Sequence, residues 1–120
     1  MRRVGIGDQR EGHAVNDKMI ESVARALLRA APEGSRVILF GSHARGIARP
    51  DSDIDFLVVE PVVEDRFAET FRLRKAIEEV LADEVQPVDL VVTDEARYRR
   101  YEDTPNTLAF EAATEGRAYG

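Results

Sequence analysis

The chain has 120 residues, of which 43% are hydrophobic and 33% charged, and its formal net charge at pH 7 is −6. This length predicts one domain with a single core, and the acidity disfavours a protein that grips a long nucleic acid over its whole surface. Apolar stretches stop short of the ~20 residues that span a bilayer, and no secretory signal opens the chain. The absence of cysteine excludes disulfides and thiolate metal sites and agrees with a cytoplasmic protein.

The N-terminal segment, residues 1–15, is polar and contains three glycines, so we expect it to be flexible. Residues 16–120 are predicted to form a single domain. A helix is predicted to begin at the N-cap Asn16, because apolar residues recur behind it at helical spacing and Pro32 follows.

The first predicted strand runs from about Arg36 to Phe40 and stops at Gly41-Ser42. Glycine at this point allows a tight turn and a close backbone approach to a ligand, and Ser42 can donate its hydroxyl to a phosphate oxygen. Taken alone, the dipeptide is more typical of an ordinary turn.

The segment from Gly34 to Pro50 has no acidic residue and is therefore a local cationic region in an acidic chain. Its basic side chains are Arg36, His43, Arg45 and Arg49. Arg45 is the predicted phosphate ligand and Arg49 is expected on the exposed flank of the loop. His43 contacts a phosphate or a base, or else lies on the surface.

Three carboxylates alternate at Asp51, Asp53 and Asp55, directly before a second apolar run. An EF-hand loop is excluded, because its sixth position is Phe56 and its twelfth is Val62. At the start of a strand, Asp53 and Asp55 point the same way with Cα atoms roughly 6.5–7 Å apart. Two like charges this close repel, so we predict a divalent metal between them and assign Asp51 to the turn.

A helix is predicted from Asp65 to about Ala82, with Phe67 and Phe71 in the core. A strand follows from about Pro87 to Val92. It carries Asp89 among apolar neighbours, where an unpaired charge would be costly, so a metal partner is the better interpretation.

The C-terminal part is predicted to contain two helices, one from Asp94 and one from Thr104-Pro105 to a C-cap at Gly116. Leu108, Ala109, Ala112 and Ala113 are the predicted buried side of the second helix. The basic-aromatic cluster Arg97–Tyr101 on the first helix is either a binding surface for nucleic acid or protein or, as we favour, a solvated face. Residues 117–120 form a short tail or an edge strand.

These motifs occur in a diagnostic order: Gly41-Ser42, a ten-residue spacer, Asp53-Ile54-Asp55, and Asp89 on a further strand. This order resembles the DNA polymerase beta-type nucleotidyltransferase superfamily, and the short length resembles its minimal nucleotidyltransferases, the antitoxin partners of HEPN-domain toxins. The resemblance covers the chain from about Val37 to the C-terminus. His43 departs from it, since an arginine is expected there.

The order of the predicted elements indicates an α/β (α+β) fold with a small mixed β-sheet packed against helices, as the resemblance also implies. The resemblance further implies that Asp53, Asp55 and Asp89 are catalytic and hold two Mg²⁺ ions, and that Gly41, Ser42 and Arg45 bind the nucleotide. The implied activity is transfer of AMP from ATP to a tyrosine of a HEPN toxin.

Two other functions stay open at this point. One is an aminoglycoside-type nucleotidyltransferase that modifies a small molecule and works as a homodimer. The other is a non-catalytic module that masks a toxin by contact alone. A pure binding module gains nothing from crowded carboxylates, which counts against the last of these.

Overall fold

The computed structural model describes residues 4–49, 51–82, 84 and 86–120, with side chains from residue 17 onward. The helices and strands are α1 (Val4–Ala30), β1 (Arg36–Phe40), α2 (Ser42–Arg45), β2 (Ile54–Glu60), α3 (Arg66–Leu81), β3 (Val88–Asp94), α4 (Glu95–Tyr101), α5 (Leu108–Glu115) and β4 (Arg117–Tyr119). None of these described helices is long and apolar enough to cross a membrane.

The four strands form one mixed sheet in the order β3-β2-β1-β4. β1 pairs antiparallel with both β2 and β4, whereas β2 and β3 are parallel and are joined through α3. The predicted small mixed sheet packed against helices is therefore confirmed, as is the edge strand at the C-terminus.

Each face of the sheet has its own core, because strand side chains alternate between faces. The larger core lies beneath α1 and α3 and includes Leu27, Leu39, Phe56, Ile77 and Leu90. The smaller core lies beneath α4 and α5, and its buried members are Ile38, Phe40, Leu57, Val59, Tyr98 and Ala112.

The first helix begins at Val4, twelve residues before the predicted start at Asn16. Once the amphipathic half has formed, extending a helix backwards adds one hydrogen bond per residue, whereas nucleation is the costly step. Three glycines, each worth about 1 kcal/mol against the helix, do not end it. Residues 1–3 lie outside the described residues, and the flexibility of the N-terminal segment stays a prediction.

The last helix begins later than predicted. Thr107, and not Thr104, is its N-cap, and its side-chain oxygen accepts a hydrogen bond from the Phe110 amide at 3.1 Å. Asn106 has φ = 69°, a left-handed conformation that a helix cannot contain, so the preceding Pro105 belongs to a turn. Ala113 is exposed, although it was predicted to lie on the buried side; the C-cap at Gly116 is confirmed.

The prediction that Phe67 and Phe71 lie in the core is wrong, because both side chains are exposed. α3 instead buries Leu73 and Ile77. Successive residues turn by about 100° around a helix, so Phe71 points about 200° away from Leu73. The stripe of Phe67 and Phe71 therefore cannot face the same core as the stripe of Leu73 and Ile77.

Candidate active site

Sheet topology brings three separate parts of the sequence together at one end of the strands. β1 ends where antiparallel β2 begins, and β3 begins beside the start of β2 because those two strands are parallel. In this register Asp55 lies opposite Phe40 on one side and opposite Asp89 on the other. The Gly41-Ser42 turn follows Phe40 directly, so it lies against Asp55, with Asp89 one strand further away.

Asp55 and Asp89 also share one face of the sheet. Their chain neighbours Phe56 and Leu90 point into the core beneath α1 and α3. The alternation of side chains along a strand therefore directs both carboxylates to the opposite face, the one that α4 and α5 cover.

The Asp55 and Asp89 carboxyl groups are close enough to share a hydrogen bond. Burial, followed by the charge and the hydrogen bond of Asp89 and by smaller effects of Asp53 and Glu111, raises the pKa of Asp55 to about 6. All the causes act in one direction. Asp55 is thus a half-buried carboxyl group among like charges, and Asp89 acts on it more strongly than Asp53, the neighbour that the alternating pattern predicted.

Asp53 lies just before β2 and is exposed. Its charge acts on Asp55, so the two groups are near each other. The preceding carbonyl oxygen, that of Ser52, accepts hydrogen bonds from Gln86 Nε2 at 2.6 Å and from His43 Nε2 at 3.1 Å. These hydrogen bonds connect the start of β2 to α2, which carries His43, and to the segment before β3, which carries Gln86.

His43 is therefore half-buried and hydrogen-bonded to the protein, and does not simply lie on the surface; its contact with a phosphate or a base stays a prediction. Gln86 was not singled out in the sequence. Nothing there could mark it, since its partner is a backbone oxygen 34 residues away.

Gly41 is buried and has φ = 77°, a conformation that other residues rarely adopt. A Cβ atom at this position would collide with the Asp55 carboxylate. Glycine is thus required twice, for the backbone conformation and for the close approach. Ser42 follows as the first residue of α2 and is half-buried beside this contact.

Arg45 lies on α2, and its guanidinium group pairs with α5. Its Nη1 atom is 3.3 Å from Glu111 Oε2 and 3.4 Å from Glu115 Oε1. These pairs join residues 66 and 70 positions apart, so the sequence could not reveal them. Because all three side chains are partly exposed, the pairs are weak and Arg45 can exchange them for another anion.

The carboxylates fit a divalent cation with oxygen ligands. No group of three or more His, Cys, Asp or Glu side chains within the described residues is arranged to hold a metal ion alone. Mg²⁺ does not require such a cage, because it keeps several waters and binds through one or two carboxylates plus substrate phosphates. The Asp55–Asp89 pair, with Asp53 nearby, is a donor set of this kind.

Comparisons with known proteins identify the family of the chain. The family model for the nucleotidyltransferase domain matches residues 20–109. A crystal structure of a toxin–antitoxin with AMP-PNP is similar with a TM-score of 0.57 and 23% identity, covering 83% of this chain and 72% of that one. A protein from Sulfolobus solfataricus, described as a nucleotidyltransferase and solved at 1.40 Å resolution, has a TM-score of 0.50 and 26% identity, covering 83% and 82%.

No curated protein matches the chain significantly. The family model nevertheless spans most of the sequence, including the Gly41-Ser42 turn and all three aspartates. The chain belongs to the nucleotidyltransferase domain family and is a nucleotidyltransferase.

Proposed function

We propose that this chain transfers AMP from ATP to a hydroxyl group of a partner toxin and thereby acts as an antitoxin. The observation that carries the proposal is the Asp55–Asp89 pair beside the Gly41-Ser42 turn. Within the described residues, no positive side chain lowers the pKa of Asp55. The site therefore favours a ligand that brings its own cation, as a magnesium–triphosphate complex does.

The partner and the nucleotide are inferred from similarity. One of the similar structures is a toxin–antitoxin complex with AMP-PNP, a triphosphate analogue. This likeness supports a nucleoside triphosphate as the substrate and a toxin as the natural partner. We further propose that the toxin has a HEPN domain and that the acceptor is a tyrosine, as the resemblance of the sequence motifs implies.

The proposed roles of the side chains follow from their places on the sheet. Ser42, next to β1, would donate a hydrogen bond to an outer phosphate oxygen, and Arg45 would approach the same phosphates. Asp89 lies on the far side of Asp55 from this turn, where an acceptor hydroxyl would enter. Asp53, Asp55 and Asp89 would hold two Mg²⁺ ions, which when bound neutralise charge on the phosphates.

In the proposed reaction the acceptor oxygen forms a bond to the α-phosphorus. The bond from that phosphorus to the oxygen bridging to the β-phosphate breaks, and pyrophosphate leaves on the Ser42 side. The acceptor proton passes to the Asp89 carboxylate and from there to solvent.

Intact-mass spectrometry tests the proposal directly. The protein encoded by the neighbouring reading frame is incubated with the wild-type chain, ATP and Mg²⁺, and we expect one or more AMP-sized mass increments. The Asp53→Asn/Asp55→Asn double variant should add none. Neutralisation of the toxin without any change of mass would show instead that the chain acts by contact alone.

A small-molecule acceptor is a second candidate, because a cavity of about 270 Å³ lies on the same face of the sheet. Leu57 and Val91 line it, each two residues beyond a carboxylate of the pair. Transfer of AMP to a small hydroxylated compound, with the neighbouring protein unmodified, would favour this candidate.

A further inference from the structure

Two phenylalanine side chains on α3 lie largely in solvent. Phe67 is 91% exposed and Phe71 is 65% exposed. They are four residues apart and therefore adjacent on one side of the helix. A single exposed apolar residue is ordinary, but a pair of exposed aromatic rings on one stripe is typical of a surface that binds another protein.

The phenylalanine stripe borders the free edge of the sheet. β3 is the last strand, and its outer edge pairs with no strand within the described residues. A groove of about 250 Å³ separates α3 from this edge, and its lining includes Phe67, Thr70 and Val92. Unpaired strand edges present backbone donors and acceptors to an incoming chain.

This groove adjoins the cavity on the carboxylate face of the sheet. It shares Arg66 and Val91 with the 270 Å³ cavity beneath α4 and α5. Val91 lies two residues beyond Asp89 on the same face, a separation of about 6.5–7 Å. A protein lying along the stripe and the groove would thus reach Asp89, the carboxylate placed on the acceptor side.

The rim of the surface is basic in a chain of net charge −6. Arg66 lines both the groove and the cavity, Arg97 lines the cavity, and Lys75 lies over the Phe71 ring at 5.3 Å. None of the three pairs with a carboxylate in the part of the chain that the structure describes. Aromatic anchors with unpaired cations around them complement an apolar patch that carries carboxylates on its rim.

We propose that the β3-edge surface, defined as Phe67, Phe71, Arg66, Lys75 and Arg97 with the free edge of β3, is where the toxin docks. The toxin contributes an apolar patch with an acidic rim, and docking directs its acceptor hydroxyl to Asp89. This inference rests on the proposed function, because it takes the toxin as the substrate.

Binding is measured separately from transfer so that the two proposals can fail independently. Every variant is made in the Asp53→Asn background for binding to the neighbouring-frame protein, and in the wild-type background for transfer. Phe67→Ser/Phe71→Ser should weaken binding about tenfold or more and raise KM for the toxin. The Mg²⁺-ATP thermal shift should not change, since these residues are away from the phosphates.

Val62→Ser is the matched control. Val62 is also apolar and 70% exposed, but it lines a different cavity with Glu69 and Arg72. This variant should bind the toxin as the wild type does. Arg66→Glu/Lys75→Glu should weaken binding and reduce its dependence on salt, because the rim pairs are then lost.

The possible results separate clearly. Equal affinity of the phenylalanine and Val62 variants, with transfer intact, overturns the docking surface and leaves the proposed function standing. Weakened binding without any AMP on the toxin supports the surface and overturns the transfer. A wild-type chain that dimerises alone, and becomes monomeric in Phe67→Ser/Phe71→Ser, overturns the inference by assigning the stripe to self-association.

Discussion

β2 carries a carboxyl group near each end, and each is paired with a carboxyl group on another element; the two pairs differ in whether an arginine accompanies them. At its start Asp55 meets Asp89, and at its end Glu60 meets Glu69. Glu60 is 1% exposed, and one of its oxygens has no partner within the described residues. Burial, followed by the hydrogen bond and the charge of Glu69, raises the pKa of Glu60 to about 8.

The second pair has its own cation. Arg72 donates two hydrogen bonds to Glu69, at 3.0 and 2.6 Å, and they lower the pKa of that carboxyl. The chain thereby completes the Glu60–Glu69 pair internally, with one shared proton and one arginine. The Asp55–Asp89 pair has no such arginine among the described side chains. We infer that a close pair of carboxyl groups does not by itself indicate a metal or substrate site. The Asp55–Asp89 pair indicates one because it lacks an internal cation.

The largest expected effect is on the rate of AMP transfer, and it tests directly whether the two carboxyl pairs have different roles. Asp55→Asn and Asp89→Asn should each lower the rate of AMP transfer about a hundredfold or more, because each removes a proposed metal ligand. Glu60→Gln should leave the rate within a few-fold, since that pair is structural. Pyrophosphate release at saturating ATP measures all three. A comparable loss in Glu60→Gln would remove the distinction between the pairs.

A similar contrast applies to Asp51 and Asp53, the two aspartates that precede β2. Asp53→Asn should also cost orders of magnitude in transfer, whereas Asp51→Asn should stay within a few-fold of the wild type. Both residues are exposed and carry the same charge, so Asp51 is the matched control. Equal losses at the two positions would mean that the ligands are assigned in the wrong register.

Features that depend on neighbouring residues could be predicted from the sequence. The bounds of β1 follow from its apolar run and the glycine that ends it, and the helix starts at Asp65 and Asp94 follow from the helical stretches behind them. The convergence of Asp55 and Asp89 required only the period of two along strands and the parallel pairing.

Features that depend on distant residues could not be predicted. Helical spacing marks Phe67 and Phe71 as an apolar stripe, but only the docking of α3 decides that Leu73 and Ile77 face the sheet. Arg45 was predicted to bind phosphate from charge alone, whereas its pairing with Glu111 depends on where α5 packs. Periodicity contains no information on which of two stripes is buried.

The Glu60–Glu69 pair should also make the stability of the folded chain depend on pH. The raised pKa of Glu60 means that the folded state holds more protons than the unfolded state, so stability falls as pH rises from about 4.5 to about 8. Glu60→Gln keeps a donor for Glu69 and cannot ionise. Its stability relative to that of the wild type should therefore be lowest at pH 5 and should rise steadily to pH 8.5.

Urea denaturation at the two pH values measures this difference. Arg72→Gln is the informative companion variant, because it removes the internal cation and should destabilise the chain at both pH values. A Glu60→Gln variant whose stability relative to that of the wild type does not rise between pH 5 and pH 8.5 would contradict the shared-proton interpretation.

The smallest expected effect is on the nucleotide-free protein. Ionised Asp55 is opposed by burial and by Asp89, so Asp55→Asn should stabilise the chain by about 1 kcal/mol at pH 7.5, or about 4 °C in Tm. The gain should shrink at pH 5, below the raised pKa of about 6, where the wild-type carboxyl is mostly protonated.

Mg²⁺-ATP should make the wild type more stable than Asp55→Asn, because at a hundred times Kd it stabilises the wild type by about 2.7 kcal/mol and the variant far less. Differential scanning fluorimetry with and without Mg²⁺ measures both effects, and a wild-type shift with ATP that does not require Mg²⁺ would contradict the cation assignment.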